Sequence, residues 1–434
     1  MYLPSLSAYQ TLENSQGTLD PLGLYTIADR LAMRLAPDLR ERMKHPRYLT
    51  SIAVGAVACS CFSEEELAVD EVSPPWQVYE WYVISGLVRR FDKTDPNQLL
   101  GMPGREKTTR SMRDGIPLSA NRYLKTPTVF GFHGVYRTLA KGIKLVDDDM
   151  VGEFGSSLVD IWENEQGLNG FRVGIAGTPG YEFRKKIEDA VRAGLKAGAV
   201  AKPWSWEFYN KLAESLAPKS PGKKEATALF NVLVNAESES RAELIRFLAS
   251  VEGQKTVESG SEKTVHTAFL QQSPGIKPLL LAIQSYERVC RLLYNAFYEI
   301  LQWMESHQSK KGTISQLSDL VHVKKACKEL PAAFQEADLL LEPFTYEASL
   351  FLDNFQQLRE SFERNEWVLL LFAHHMKVQR SKPPNGKAPW ILEHSSDVFL
   401  LNTTQAGVAE LNEEYVHQYR TYTLQSFLTD LGKL

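Results

Sequence analysis

Apolar positions recur along this chain at intervals of three and four residues, the spacing that lines up side chains on one helix face, which predicts a mainly α protein. Leu22, Leu24, Ile27, Leu31 and Leu35 predict a helix over 19–35, with Asp20 as N-cap and Pro21 in its first turn. A second helix is expected over 47–62. After the break at Pro74 and Pro75 a third covers 76–91, with Val78, Trp81, Tyr82, Ile84, Leu87 and Val88 facing inward. Further helices are expected over 153–164, 181–197, 204–216, 225–234 and 238–251. The stretch 276–308 carries a broad apolar face, and 314–341, 346–379 and 408–431 continue in the same style, although Pro331 should interrupt the first of these three. Those lengths predict an antiparallel helical bundle at the C-terminus.

Between the third helix and residue 150 the pattern changes. Gly101, Pro103, Gly104 and Gly115 mark irregular connections, Ser119 is a candidate N-cap for a short helix to 124, and Pro127 follows. Val129, Phe132, Val135, Tyr136 and Leu139 then predict a helix over 128–141, closed by Gly142 in a left-handed C-cap despite the internal Gly131 and Gly134. A short β-prone piece, 143–146, precedes the acidic turn 147–149. This order matches a winged helix-turn-helix, with 128–141 in the recognition position. The expected domains are a helical and winged-helix region over 1–170, a middle helical region over 171–251, a polar linker at 252–263, and the bundle over 264–434.

Charge sharpens that reading. The 434 residues carry 49 Lys+Arg against 53 Asp+Glu, a net charge of -4, yet 89–144 holds twelve basic and four acidic residues, so that it is +8 while the rest is -12. Cations gathered on one surface release counterions when they meet phosphates. Arg105, Lys107, Arg110, Arg113, Arg122, Lys125, Arg137 and Lys141 are therefore the expected DNA contacts. Arg137 and Lys141, four apart, share one face of the expected recognition helix. A basic face that docks on protein is the alternative.

Recognisable chemistry is sparse. Gly101 to Thr109 resembles a phosphate loop until Glu106 takes the place of the glycine that should precede Lys107. Gly174, Gly177 and Gly180 do not make the dinucleotide fingerprint. His374, His375, Glu393 and His394 lack a metalloprotease spacing, and Cys59 and Cys61 have no second pair to complete a zinc site. Cys290 and Cys327 sit in apolar patterns and read as core. Asp147, Asp148 and Asp149 form an acidic cluster of the kind that could hold divalent ions for a nuclease. No nucleophile elbow is present. The expectation is a non-enzymatic protein without metal or cofactor.

A second basic segment runs from His375 to Trp390. Its Lys377, Arg380, Lys382, Lys387 and Trp390 suit a second polyanion contact, partner docking or a locked turn between helices, of which docking or the locked turn is favoured. The run 367–373 is only seven residues long, too short to span a bilayer, so no membrane partner is expected. Residues 1–23 lack the pattern of a signal peptide, and four cysteines in so long a chain suit a reducing cytoplasm.

Two patterns carry a resemblance. Gly17-Thr-Leu-Asp20-Pro-Leu-Gly23 followed by 40–48, and Gly101-Met-Pro-Gly104 continuing to Arg122-Tyr123-Leu124 and Gly131-Phe-His133-Gly-Val-Tyr136, resemble uncharacterised bacterial accessory proteins of restriction and phage-defence islands. The resemblance covers about the first 170 residues and the 375–390 segment. It implies a subunit that works beside a helicase, an SMC-like ATPase or a nuclease. The leading expectation is a cytoplasmic, DNA-binding or DNA-sensing subunit of an anti-phage or anti-plasmid complex, in contact with duplex or single-stranded DNA. A pure protein scaffold is the second, and a divergent metal-dependent nuclease the third.

Overall fold

The computed structural model describes residues 20–434 except 64, 148–149, 202–205, 236–237, 259, 361–362, 384 and 405–408. Its helices are, in chain order, α1 (Tyr25–Leu35), α2 (Tyr48–Cys59), α3 (Pro75–Phe91), α4 (Arg105–Arg113), α5 (Pro127–Phe130), α6 (Phe132–Gly142), α7 (Glu153–Glu165), α8 (Pro179–Ala197), α9 (Trp206–Ser215), α10 (Lys223–Asn235), α11 (Glu239–Leu248) and α12 (Val251–Val257). They continue as α13 (Glu262–Gln272), α14 (Lys277–Ser306), α15 (Ile314–Ser318), α16 (Val321–Leu341), α17 (Thr345–Phe355), α18 (Arg364–Ser381) and α19 (Thr421–Asp430). The strands β1 (Val146–Asp147) and β2 (Met150–Val151) form an antiparallel hairpin. A three-stranded antiparallel sheet has β5 (Val398–Leu401) between β3 (Lys311–Thr313) and β4 (Ile391–Ser395). The protein is mainly helical.

The chain divides into two compact units. One consists of Met1–Leu35 and Lys255–Tyr419, the other of Ala36–Gln254 and Arg420–Leu434. The expected linker at 252–263 is largely helical instead, since α12 runs to Val257 and α13 starts at Glu262 with Ser261 as its cap. No division falls near residue 170.

In the second unit α3 is the central helix. It packs against α2, α4, α6, α8 and α9, and is buried nearly all round, including Gln77, Glu80 and Ser85. Arg47, just before α2, is fully buried with Glu225 of α10. Its Nε lies 2.9 Å from the carboxylate, while Nη1 and Nη2 donate to the carbonyls of Ala217 and Ser215. Each charge is thus matched by a partner, the condition under which a buried pair is tolerated.

In the first unit α14 and α16 pack together, and α1 and α17 pack on them in turn. Pro331 lies inside α16 without ending it. Ala326, Leu330, Ala333, Phe334, Ala337 and Leu341 remain buried on one stripe across the proline, so packing outweighs the lost backbone hydrogen bond.

The expected helix over 408–431 forms only from Thr421. Residue 408 lies outside the described residues. From 409 the chain is held by α14 instead: Gln302 donates to the Ala409 carbonyl, Asn295 to that of Asn412, and Arg291 to those of Glu414 and Tyr415, while Glu287 accepts from the Val416 amide. Side chains spaced along one helix edge take the backbone bonds that a helix would have satisfied internally. The expected cap of α1 also differs. Asp20 accepts from Leu24 and Tyr25, so the helix begins four residues beyond Pro21.

Candidate nucleic-acid interface

The basic segment lies in the second unit on elements that differ from those expected. Residues 105–113, for which the sequence predicts no helix, form α4, which buries only the small side chains Thr108 and Ser111. The expected helix over 119–124 is a turn, because Ser119 forms a bridge with Ala199 and its carbonyl accepts from Arg122 and Tyr123. The expected helix over 128–141 is two. Gly131 is extended between α5 and α6, and the left-handed residue beyond α6 is Lys144, with φ 56°, rather than Gly142.

One buried carboxylate explains the break. Glu80 of α3 accepts from the Tyr123 hydroxyl at 2.5 Å and from the His133 amide at 3.0 Å, so it caps the start of α6. A Cβ on Gly131 would collide with this carboxylate. Tyr123 also covers Gly104, which starts α4 at φ 74° and leaves no room for a side chain. Tyr123 and Glu80 are therefore a hub joining α4, the 119–126 turn and α6. Burial pushes Glu80 up to about 7, although the hydrogen bonds from Tyr123 and the α6 amides oppose it.

Around this hub the expected contacts fall as follows. Lys107, Arg110 and Arg113 are exposed on α4, and Arg105 is half-buried, 3.7 Å from Asp92. Arg113 is 3.5 Å from the neighbouring Asp114. Arg122 and Lys125 are exposed on the turn, while α6 carries the half-buried Arg137 and the exposed Lys141. Lys107, Arg110, Arg122, Lys125 and Arg137 have no salt bridge among the described residues.

Sequence reasoning missed three further cations. Arg40 donates to Thr138 of α6, Arg42 lies 4.6 Å over the Phe130 ring, and Lys44 sits against Gly101. The acidic residues of the same stretch are taken up within the unit. Asp38 pairs with Arg241 at 3.5 Å and Glu41 with Arg420 at 3.1 Å. No periodic signal marks Arg40 to Lys44, since the fold alone carries them to α5 and α6.

The second basic segment, in the first unit, splits. Lys377, Arg380 and Lys387 are exposed, whereas Lys382 donates to the Asp20 carbonyl and Trp390 is buried against Phe297 and His375. Trp390 and Lys382 therefore lock the turn.

The other candidates for chemistry are likewise occupied. His374 bonds the Leu22 carbonyl and His394 lies 2.7 Å from Lys311. Of the acidic turn only Asp147, exposed, is described; Asp148 and Asp149 lie outside the described residues. Glu287, Cys290 and His417 come within 4.8 Å of one another. The Glu287 oxygens, however, already accept from the His417 ring, Tyr419 and the Val416 amide, which leaves the carboxylate little capacity for an ion. Burial opposes the ionised carboxylate, but the electrostatic influence of the His417 ring together with these bonds outweighs it and holds Glu287 below its ordinary range. This cluster reads as a buried hydrogen-bonded network that fastens the 409–419 stretch.

No family model, curated protein or solved structure matches this chain. Among the described residues no helix is long and apolar enough to cross a membrane.

Proposed function

We propose that the protein is a DNA-binding or DNA-sensing accessory subunit of a bacterial defence complex, contacting phosphates through the second unit. The observation that supports this reading most is the asymmetry around the Glu80–Tyr123 hub. There Lys107, Arg110, Arg122, Lys125 and Arg137 lack salt-bridge partners among the described residues, while Asp38 and Glu41 face inward to arginines. In the winged-helix reading, α6 is the recognition helix and the β1–β2 hairpin the wing. The resemblance to defence-island proteins supplies the biological setting, in which a motor or nuclease subunit performs the chemistry.

Fluorescence anisotropy with short duplex and single-stranded DNA across a salt series tests it. With six phosphate contacts on duplex, log K falls against log salt with a slope of roughly -5. Negligible binding at low salt removes the proposal. A protein scaffold is the second reading, favoured by Val321 and Leu339 on α16 and Leu352 on α17, which are apolar yet more than half exposed. It requires stable co-purification with a protein partner and no salt-dependent DNA affinity.

A further inference from the structure

The loop between α2 and α3 carries apolar side chains that its own backbone keeps outside. Leu67, Val69 and Val72 are 46%, 66% and 69% exposed, while the small Ala68 is buried. The Val69 amide donates to the Leu195 carbonyl of α8, and the Ala68 amide to that of Ser73. Asp70 accepts from the Val72 and Ser73 amides and from the Ser73 hydroxyl, and Glu71 turns the chain at φ 60°. A loop pinned at so many points is ordered before any partner arrives, which removes part of the entropy that binding would otherwise lose. Its charge has one sign. Glu65, Glu66, Asp70 and Glu71 surround the apolar side chains, and no Lys or Arg occurs between Arg47 and Arg89. Glu65 and Glu71 are exposed, without a salt bridge among the described residues. Arg192 and Lys196, exposed on the last turns of α8, are outnumbered by these carboxylates.

A surface of complementary character stands beside this loop in the same unit. Residues 198–200 touch both: Gly198 lies against Val69 and Asp70, Ala199 bridges Ser119, and the Val200 amide donates to the Leu118 carbonyl. The end of α4 and the turn after it carry Met112 and Ile116, 36% and 39% exposed. Around them the exposed Arg110, Arg113, Arg122 and Lys125 outweigh Asp114. An acidic apolar lobe next to a basic apolar lobe is self-complementary under a two-fold axis, because each copy offers the lobe that the other needs. We propose that two copies of this chain pair through this face, the 65–72 loop of each seated on Met112, Arg113, Ile116 and Arg122 of the other. Leu67, Val69 and Val72 then leave water against Met112 and Ile116, while Glu65 and Glu71 meet Arg113 and Arg122. The dimer covers two of the cations that the nucleic-acid reading assigns to phosphates. On that reading, DNA and the second copy compete for them.

Sedimentation equilibrium of the full chain between 50 and 500 mM NaCl tests the contact. The wild type should dimerise at low salt, with a dissociation constant that rises roughly tenfold across the series as the charge pairs are screened. Val69→Ser with Val72→Ser should weaken the dimer at every salt concentration. Glu65→Lys with Glu71→Lys should abolish it, as should Arg113→Glu with Arg122→Glu, since each change sets like charges face to face. The four charge reversals combined should restore it, because the lobes are then complementary again with their signs exchanged. All of these side chains are exposed, and circular dichroism melting confirms that each variant folds. A wild type that stays monomeric at 50 mM salt, a dimer that survives either charge reversal alone, or no recovery in the combined variant overturns the proposal. Assembly beyond the dimer overturns the two-fold arrangement. Short duplex DNA should dissociate the dimer, and a complex of duplex with the intact dimer overturns the shared use of Arg113 and Arg122. A dimer with these properties that binds no duplex upholds the contact and removes only the DNA-binding reading.

Discussion

The Trp390 amide donates to His375 Nε2 at 2.8 Å while the other ring nitrogen of His375 faces the Pro21 carbonyl at 2.8 Å. An amide can only donate and a carbonyl can only accept, so the imidazole is neutral with its proton on Nδ1. One side chain of α18 thereby ties the turn at Trp390 and the chain before α1 into the first unit.

This arrangement makes the first unit acid-sensitive. Burial pushes His375 down to about 4 from an ordinary value of 6.5. Between those values the unfolded chain takes up a proton that the folded one refuses. The stabilisation is therefore complete above pH 6.5 and is lost as pH falls through 4, by at most about 3 kcal/mol. Urea unfolding at pH 7, 6 and 5 should show a falling midpoint, with a shallower fall in His375→Gln. Parallel pH dependence in the two proteins would reject this role.

Glu80 predicts the opposite slope in the second unit. Its carboxyl is raised from 4.5 to about 7, so the folded state holds a proton that the unfolded chain releases. The contribution is complete below pH 4.5, declines as pH rises through 7 and is flat above, again about 3 kcal/mol at most. Glu80→Gln should flatten stability between pH 5 and 8, as read by thermal unfolding of the two proteins.

Arg47 and Glu225 are both fully buried, so removal of one partner strands the other. Glu225→Ala should destabilise the second unit by about 3–5 kcal/mol, read as a lower denaturant midpoint by circular dichroism. Arg47→Met combined with Glu225→Leu should recover part of that loss, because no charge is then left without a partner. A loss below about 1 kcal/mol in Glu225→Ala would show that the pair contributes little.

The DNA surface is checked by charge. Arg137→Glu with Lys141→Glu should weaken duplex binding by tenfold or more and reduce the salt slope by roughly two, one for each lost phosphate contact, without a change in melting temperature. Unchanged affinity would remove α6 from the interface.

Helix content was legible in the sequence because a helix satisfies its own backbone. The apolar spacing of α3, α8 and α14 needs no partner to be recognised, and the cluster of cations between 89 and 144 is a property of the chain itself. Tertiary structure decided whatever depends on groups far apart in sequence. The split between α5 and α6 follows from Glu80, about 50 residues upstream, whose carboxylate claims the space beside Gly131. The 409–419 stretch is irregular rather than helical because α14 offers its backbone side-chain partners more than 100 residues away. Lys382 and Trp390 share composition with the exposed Lys377 and Arg380, yet the Asp20 carbonyl and the His375 ring draw them inward. Arg40, Arg42 and Lys44 join the basic surface only because α5 and α6 pack beside them. Local pattern specifies elements, but a buried polar group must find its partner in three dimensions, and that demand sets where elements break and which charges remain outside.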